Sequence, residues 1–260
     1  MPGLNIGTGI RTAPVAGIVG GLGPLAGAYL YERFVRLTSA ETDQDHFSAV
    51  LLSWPFPSRI GHFSGMPGVE SPLPHLVEAT RCLQSLGCTV VALASATTHA
   101  YRVDIQERTG VTIVDGLRAT TRELSARGAT RCVVFCTSPT RRQGLYEPSW
   151  PDSVELHYPT SAEQETLDQL IIAVKSGRTG PAEVKVLDEL VRRYCGRGFT
   201  ALLGCTELPL LWTPDEPDAT VVSVTDAIAA AAIAAISEAV SSDGPGRRGY
   251  RAPDPATRRG

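Results

Sequence analysis

The sequence offers little to most classes of partner and cofactor. Its charges nearly cancel: 24 Lys and Arg stand against 27 Asp and Glu, a net charge of −3. No basic field exists to draw in nucleic acid or an anionic membrane. The six cysteines (Cys82, Cys88, Cys132, Cys136, Cys195 and Cys205) include no Cys-x-x-Cys pair and no Cys/His spacing of the kind that holds zinc, so no metal is expected. The stretch 1–14 lacks an apolar core of signal-peptide length, which points to a cytoplasmic protein with reduced thiols. No apolar run reaches bilayer length. The longest, Ala227 to Ile236, is Ala-rich and well short of the ~20 residues a span requires.

What is present is alternation. Apolar runs of strand length occur at Pro14–Val19, Phe47–Ser53, Thr89–Leu93, Val111–Val114, Arg131–Phe135, Phe199–Leu203 and Thr220–Val224. Between them lie stretches of helical periodicity, such as Leu73, Leu76, Val77, Thr80, Leu83 and Leu86. A final Ala-rich helix opens at Thr225-Asp226, both good capping residues. Strand and helix in turn predict an α/β fold with mostly parallel sheets. The pattern of strand, small-residue tip and helix occurs in both halves, which predicts two pseudo-symmetric Rossmann-like lobes with the active site in the cleft between them. Residues 14–115 plus 222–240 would form the first lobe and 116–221 the second. The segments 1–13 and 241–260 read as flexible ends, the latter rich in Gly, Pro and Arg.

In open α/β sheets, ligands bind at the carboxyl ends of the strands, so chemistry is sought at the tips. Gly20-Gly21-Leu22-Gly23-Pro24 follows the first strand and would offer backbone N–H groups to an anion. It has neither GxGxxG nor a P-loop lysine, which argues against a nucleotide. The Pro-rich loop from Trp54 to Ser58 leads to Arg59, whose guanidinium suits a carboxylate. Small hydroxylic residues crowd two further tips, Ala94-Ser95-Ala96-Thr97-Thr98-His99 and Cys136-Thr137-Ser138-Pro139-Thr140. The last tip, Gly204-Cys205-Thr206-Glu207, sets a thiol beside a hydroxyl and a carboxylate. A thiol there can gain and lose a proton, although free cysteines are commonly inert core residues.

Taken together, GGLGP at 20–24, DQDH at 43–46, PSR at 57–59, TTHA at 97–100, the hydroxyl cluster 137–140, the helix ending in Val174-Lys175-Ser176-Gly177 and GCTELPLL at 204–211 resemble the aspartate/glutamate racemase family. The resemblance covers roughly Pro14 to Val240. It implies cofactor-independent enzymes of two pseudo-symmetric lobes, usually homodimers, in which two thiols face each other across the substrate α-carbon. Cys205 matches the second thiol. Arg59 and Lys175 match the cations that hold a second carboxylate in the aspartate branch. Leu22, Ala96, Thr97, Thr137, Ser138, Thr140, Thr206 and Glu207 fall on the remaining substrate-binding positions.

The resemblance breaks at one point. Where the family has Pro-Cys-Asn-Thr-Ala-His, this chain has Ala94-Ser95-Ala96-Thr97-Thr98-His99. Ser95 replaces the first thiol and Ala96 an asparagine that contacts the amino acid. Racemisation needs one group to remove the α-proton and another to deliver one to the opposite face; a serine hydroxyl is seldom ionised without an adjacent base. Three readings therefore stand: a racemase of acidic amino acids with Cys205 as main acid/base and Ser95 as its partner, a single-thiol lyase of the arylmalonate decarboxylase kind, and a catalytically silent dicarboxylate-binding protein.

Overall fold

The computed structural model describes residues 14–212 and 218–242. The ends read as flexible, 1–13 and all but the start of 241–260, lie outside them. In chain order the elements are β1 (Val15–Gly20), α1 (Pro24–Leu37), β2 (Ala49–Ser53), α2 (Arg59–Phe63), α3 (Leu73–Ser85), β3 (Cys88–Leu93), α4 (Arg102–Thr109), β4 (Thr112–Ile113), α5 (Gly116–Ala126), β5 (Arg131–Phe135), α6 (Ser138–Arg142), β6 (Glu155–His157), α7 (Ser161–Lys175), α8 (Pro181–Cys195), β7 (Thr200–Leu203), β8 (Val221–Ser223) and α9 (Val224–Ser242).

The strands form two four-stranded sheets, ordered β2-β1-β3-β4 and β6-β5-β7-β8. Every pairing is parallel, with registers such as Ile18 to Ala92 and Leu202 to Val222. The central strands are apolar on both faces, as a parallel sheet covered on both sides requires. Alternate residues then sort into different cores. Ala16, Ile18, Val90 and Ala92 of the first sheet share one cluster with Cys132, Val134 and Leu202 of the second. Val15, Val19, Val91 and Leu93 face outward onto Leu76 and Leu83 of α3. Val133, Phe135, Ala201 and Leu203 face outward onto α7 and α8. The inner faces of the two sheets thus belong to a single core.

Helices α5 and α9 complete that core with Leu117, Leu124, Ile228, Ala232 and Ile236. Gly116 permits their close approach, since a Cβ there would lie 2.4 Å from Ile228 Cγ1. Helix α9 has the length and mean hydropathy of a bilayer span over Val224–Ser241, more than its ten most apolar residues predict. It packs instead against α1, α5 and β3.

Three local readings change. Helix α9 starts at Val224, and its capping oxygen is Ser223 Oγ, 3.2 Å from the Asp226 N–H; the Asp226 carboxylate is engaged with Arg33 of α1 at 2.6 Å. β6 was not evident in the sequence, because an edge strand of three partly exposed residues carries no apolar run. The loop after Trp54 is interrupted by α2, where Ser58 Oγ accepts from the Gly61 N–H at 3.1 Å. That single turn directs Arg59 inward, leaving it 8% exposed.

Candidate functional site

The strand order of one sheet repeats in the other, so β3 and β7 are equivalent strands. Ser95 is the second residue beyond β3 and Cys205 the second beyond β7. Both are buried. The tips of the two sheets are tied directly: Thr206 Oγ1 donates to the Ala94 carbonyl at 3.3 Å, and the hydroxyls of Thr97 and Thr140 are 2.9 Å apart.

Between Ser95 and Cys205 runs a chain of polar contacts. Cys205 Sγ donates to Glu207 Oε2 at 3.0 Å. Glu207 Oε1 lies 3.8 Å from Arg59 Nη2 and is paired with Lys175 Nζ. Arg59 Nε donates to Ser95 Oγ at 2.9 Å. Lys175 Nζ also donates to the Leu22 carbonyl at 3.2 Å, which anchors it to the glycine turn. The turn must be glycine at position 23. Its φ of +151° is one that side chains avoid, and a Cβ would lie 2.3 Å from Glu207 Oε1.

Burial sets the electrostatics. It works to raise the Glu207 carboxyl, but Lys175 and Arg59 outweigh it, and with hydrogen bonds from Cys205 and Lys175 they hold the group below its ordinary range, hence ionised. Burial lowers Lys175, Arg59 adds to this, and Glu207 opposes both. Burial likewise lowers Arg59, with Glu207 and Cys205 opposing. The Cys205 thiol is pushed well above its usual value, first by burial and then by the Glu207 charge, while Lys175 pulls the other way. In this state Cys205 is a protonated thiol whose hydrogen points at a carboxylate. Two cations face that one carboxylate, so a positive charge is left over in a buried place, an arrangement completed by an incoming anion.

The remaining expected residues are distributed unevenly. Leu22, Ala96, Thr97, Thr137 and Thr140 are buried around these tips. Thr137 Oγ1 is 2.9 Å from Thr140 Oγ1 and caps α6, so it serves that turn. Ser138 is turned toward α7: its N–H and its hydroxyl both donate to Asp168. Asp168 carries no sequence signal, being one polar residue on an amphipathic helix. Tyr146 also went unread. It comes from a stretch without periodicity, yet its buried hydroxyl donates to the Gly204 carbonyl at 2.8 Å and supports the residue before Cys205. His99 holds the other tip, with Nδ1 3.0 Å from the Ser95 carbonyl and Nε2 accepting from the Gly116 N–H at 3.2 Å. Burial lowers its pKa, favouring the neutral ring. Among the described residues, no three His, Cys, Asp or Glu side chains are grouped to hold a metal.

Residues 19–235 match the family model described as Asp/Glu/Hydantoin racemase. Among solved structures the chain is similar to an aspartate racemase from Picrophilus torridus, 24% identical over 86% of this chain and 94% of the other, with a TM-score of 0.74. It is also similar to an aspartate racemase homologue from Pyrococcus horikoshii, 23% identical over 85% of this chain and 98% of the other, TM-score 0.66. A glutamate racemase from Thermus thermophilus is 17% identical over 92% and 86%, TM-score 0.54. At these identities the structures establish the two-lobed α/β fold.

Proposed function

Since the chain belongs to the Asp/Glu/hydantoin racemase family, we propose that it racemises an acidic amino acid, aspartate or glutamate, without a cofactor. The observation that carries this reading is the set of buried Arg59, Glu207 and Cys205 with half-buried Lys175, and its one uncompensated positive charge. The second carboxylate of the substrate takes up that charge. Cys205 removes the α-proton after Glu207 has accepted the thiol hydrogen across their 3.0 Å contact, and the same route in reverse returns it. The carbanion forms beside two cations in a site shielded from water, where charge stabilisation is strongest.

Ser95 faces different chemistry. Its hydroxyl oxygen accepts from Arg59, a contact that favours the alkoxide, but a hydroxyl is still a far weaker acid than a thiol. Proton delivery from its side is the weaker half of the reaction. We therefore read the enzyme as one-sided: Cys205 exchanges the α-proton of one enantiomer readily, and inversion through Ser95 is slower. In keeping with the family, it acts as a cytoplasmic homodimer. Following the α-proton of L- and D-aspartate and glutamate by proton NMR in D2O tests the assignment. Exchange should vanish in Cys205→Ser with far-UV circular dichroism unchanged; a variant as active as the wild type would overturn it.

A second reading has one specific observation in its favour. A single protonated thiol suits a decarboxylase of the arylmalonate kind, in which a C–C bond breaks, CO2 leaves and Cys205 protonates the resulting carbanion. Release of CO2 from a panel of malonates, with no α-proton exchange on amino acids, would favour it over racemisation.

A further inference from the structure

A groove of about 860 Å³ opens between α4, α5 and residues 143–151, away from Cys205. This volume is within the usual ~300–1,000 Å³ of small-molecule sites. Its apolar lining includes Leu117, Leu145 and Trp150. The indole is fixed in place because its Nε1 donates to the Val154 carbonyl at 2.8 Å. The lining also carries Arg118 and Arg122, one turn apart on α5.

These two arginines differ from their neighbours. Arg102, in the same groove, is held by Asp115 at 3.3 Å, and Arg127 further along α5 is held by Glu123 at 2.9 Å. The guanidinium groups of Arg118 and Arg122 have neither an ion pair nor a hydrogen bond among the described residues. Like charges four residues apart on a helix repel each other, and no acidic side chain among the described residues pairs with either. Asp115 is already offset by Arg102, and its side chain also takes the Arg118 N–H at 3.1 Å, so the start of α5 is capped. The groove therefore combines two guanidinium forks without a partner among the described residues, geometries matched to carboxylate or phosphate, with a fixed indole in the same lining. It holds no free acid or base for chemistry: both nitrogens of His99, the one imidazole in its lining, are engaged.

From this juxtaposition we infer that the groove is a second, non-catalytic site for a small oxyanion-bearing molecule, a phosphate or carboxylate whose apolar body rests against Trp150. The inference is independent of what the Cys205 site turns over. Isothermal titration with phenyl phosphate, benzoate and inorganic phosphate tests it on the full chain and distinguishes the two anion types. Wild type should bind phenyl phosphate or benzoate saturably, one per chain and more tightly than inorganic phosphate. R118Q/R122Q, on exposed positions, should bind at least tenfold more weakly, with turnover at Cys205 retained. The control Arg192→Gln on α8 should bind as wild type does. Trp150→Phe should abolish the change in tryptophan emission on binding, a readout that does not depend on the double variant. Absence of saturable binding to wild type, or equal binding by R118Q/R122Q, overturns the inference.

Discussion

Replacing Glu207 by Gln probes the centre of the candidate site, because one side chain there answers to four partners: Cys205, Thr206, Arg59 and Lys175. The substitution keeps the shape and removes the charge, leaving Arg59 and Lys175 buried together without a counter-ion. Breaking a buried pair in this way costs about 3–5 kcal/mol, out of a total stability of ~5–15 kcal/mol for ordinary domains. The size of the deficit should depend on pH, and the sign follows from the shifts. The Glu207 carboxyl is held below its ordinary 4.5, so its stabilisation is present above that value and is lost as pH falls through the lower folded one. Wild type and variant therefore converge in acid. Lys175 is held below its ordinary 10.5, and without Glu207 it falls further. A depressed lysine weakens the fold while charged and costs progressively less as it loses its proton, so the deficit also narrows as pH rises toward ~10.4. Urea unfolding followed by circular dichroism from pH 3 to 10 should show the deficit largest near neutrality. The same change removes the base that takes the Cys205 proton, since an amide oxygen can accept the hydrogen bond but not the proton. Exchange of the α-proton should drop on the order of 10²–10⁴-fold, the usual worth of a general base. A variant within 1 kcal/mol of wild type at every pH would refute the buried-charge argument.

Lys175→Met should cost aspartate or glutamate roughly 1.5–3 kcal/mol in kcat/KM while sparing alanine, because only the longer substrates have a carboxylate to lose contact with; equal losses on both would assign the lysine a structural role. Ser95→Cys should raise the ratio of inversion to deuterium exchange, measured by polarimetry and NMR in parallel. Equal exchange and inversion already in the wild type would make Ser95 a full partner and the one-sided account wrong.

Much of this architecture was legible beforehand because burial on both faces leaves an unbroken apolar run, as in Val15–Val19 and Arg131–Phe135. Cys205 and Glu207 could be singled out because a thiol and a carboxylate two residues apart at a strand tip have few structural reasons to coexist. The chain from Glu207 through Arg59 to Ser95 could not be read, since it joins residues 148 and 36 positions apart that only the tertiary fold brings together. Tyr146, Asp168 and His99 support the tips through hydrogen bonds that impose no periodicity on the sequence. Ser223, Thr225 and Asp226 are all residues of capping type, so which of them caps α9 depends on tertiary structure: Asp226 is taken by Arg33, and Ser223 caps.

The repeated strand order has a geometric corollary. A reflection would be needed to turn one enantiomer into the other, but a chain of L-residues can offer only rotations. A half-turn that carries β7 onto β3 also carries one side of a carbon lying on its axis onto the opposite side. Repeating one folding unit therefore approaches a stereocentre from both directions with a single inherited backbone. On the racemase reading proposed above, the chain keeps both approaches at equivalent strand tips, with sulfur at position 205 and oxygen at position 95. Handedness of the reaction is then lodged in one pair of atoms, where it can change while every strand, helix and ion pair stays in place.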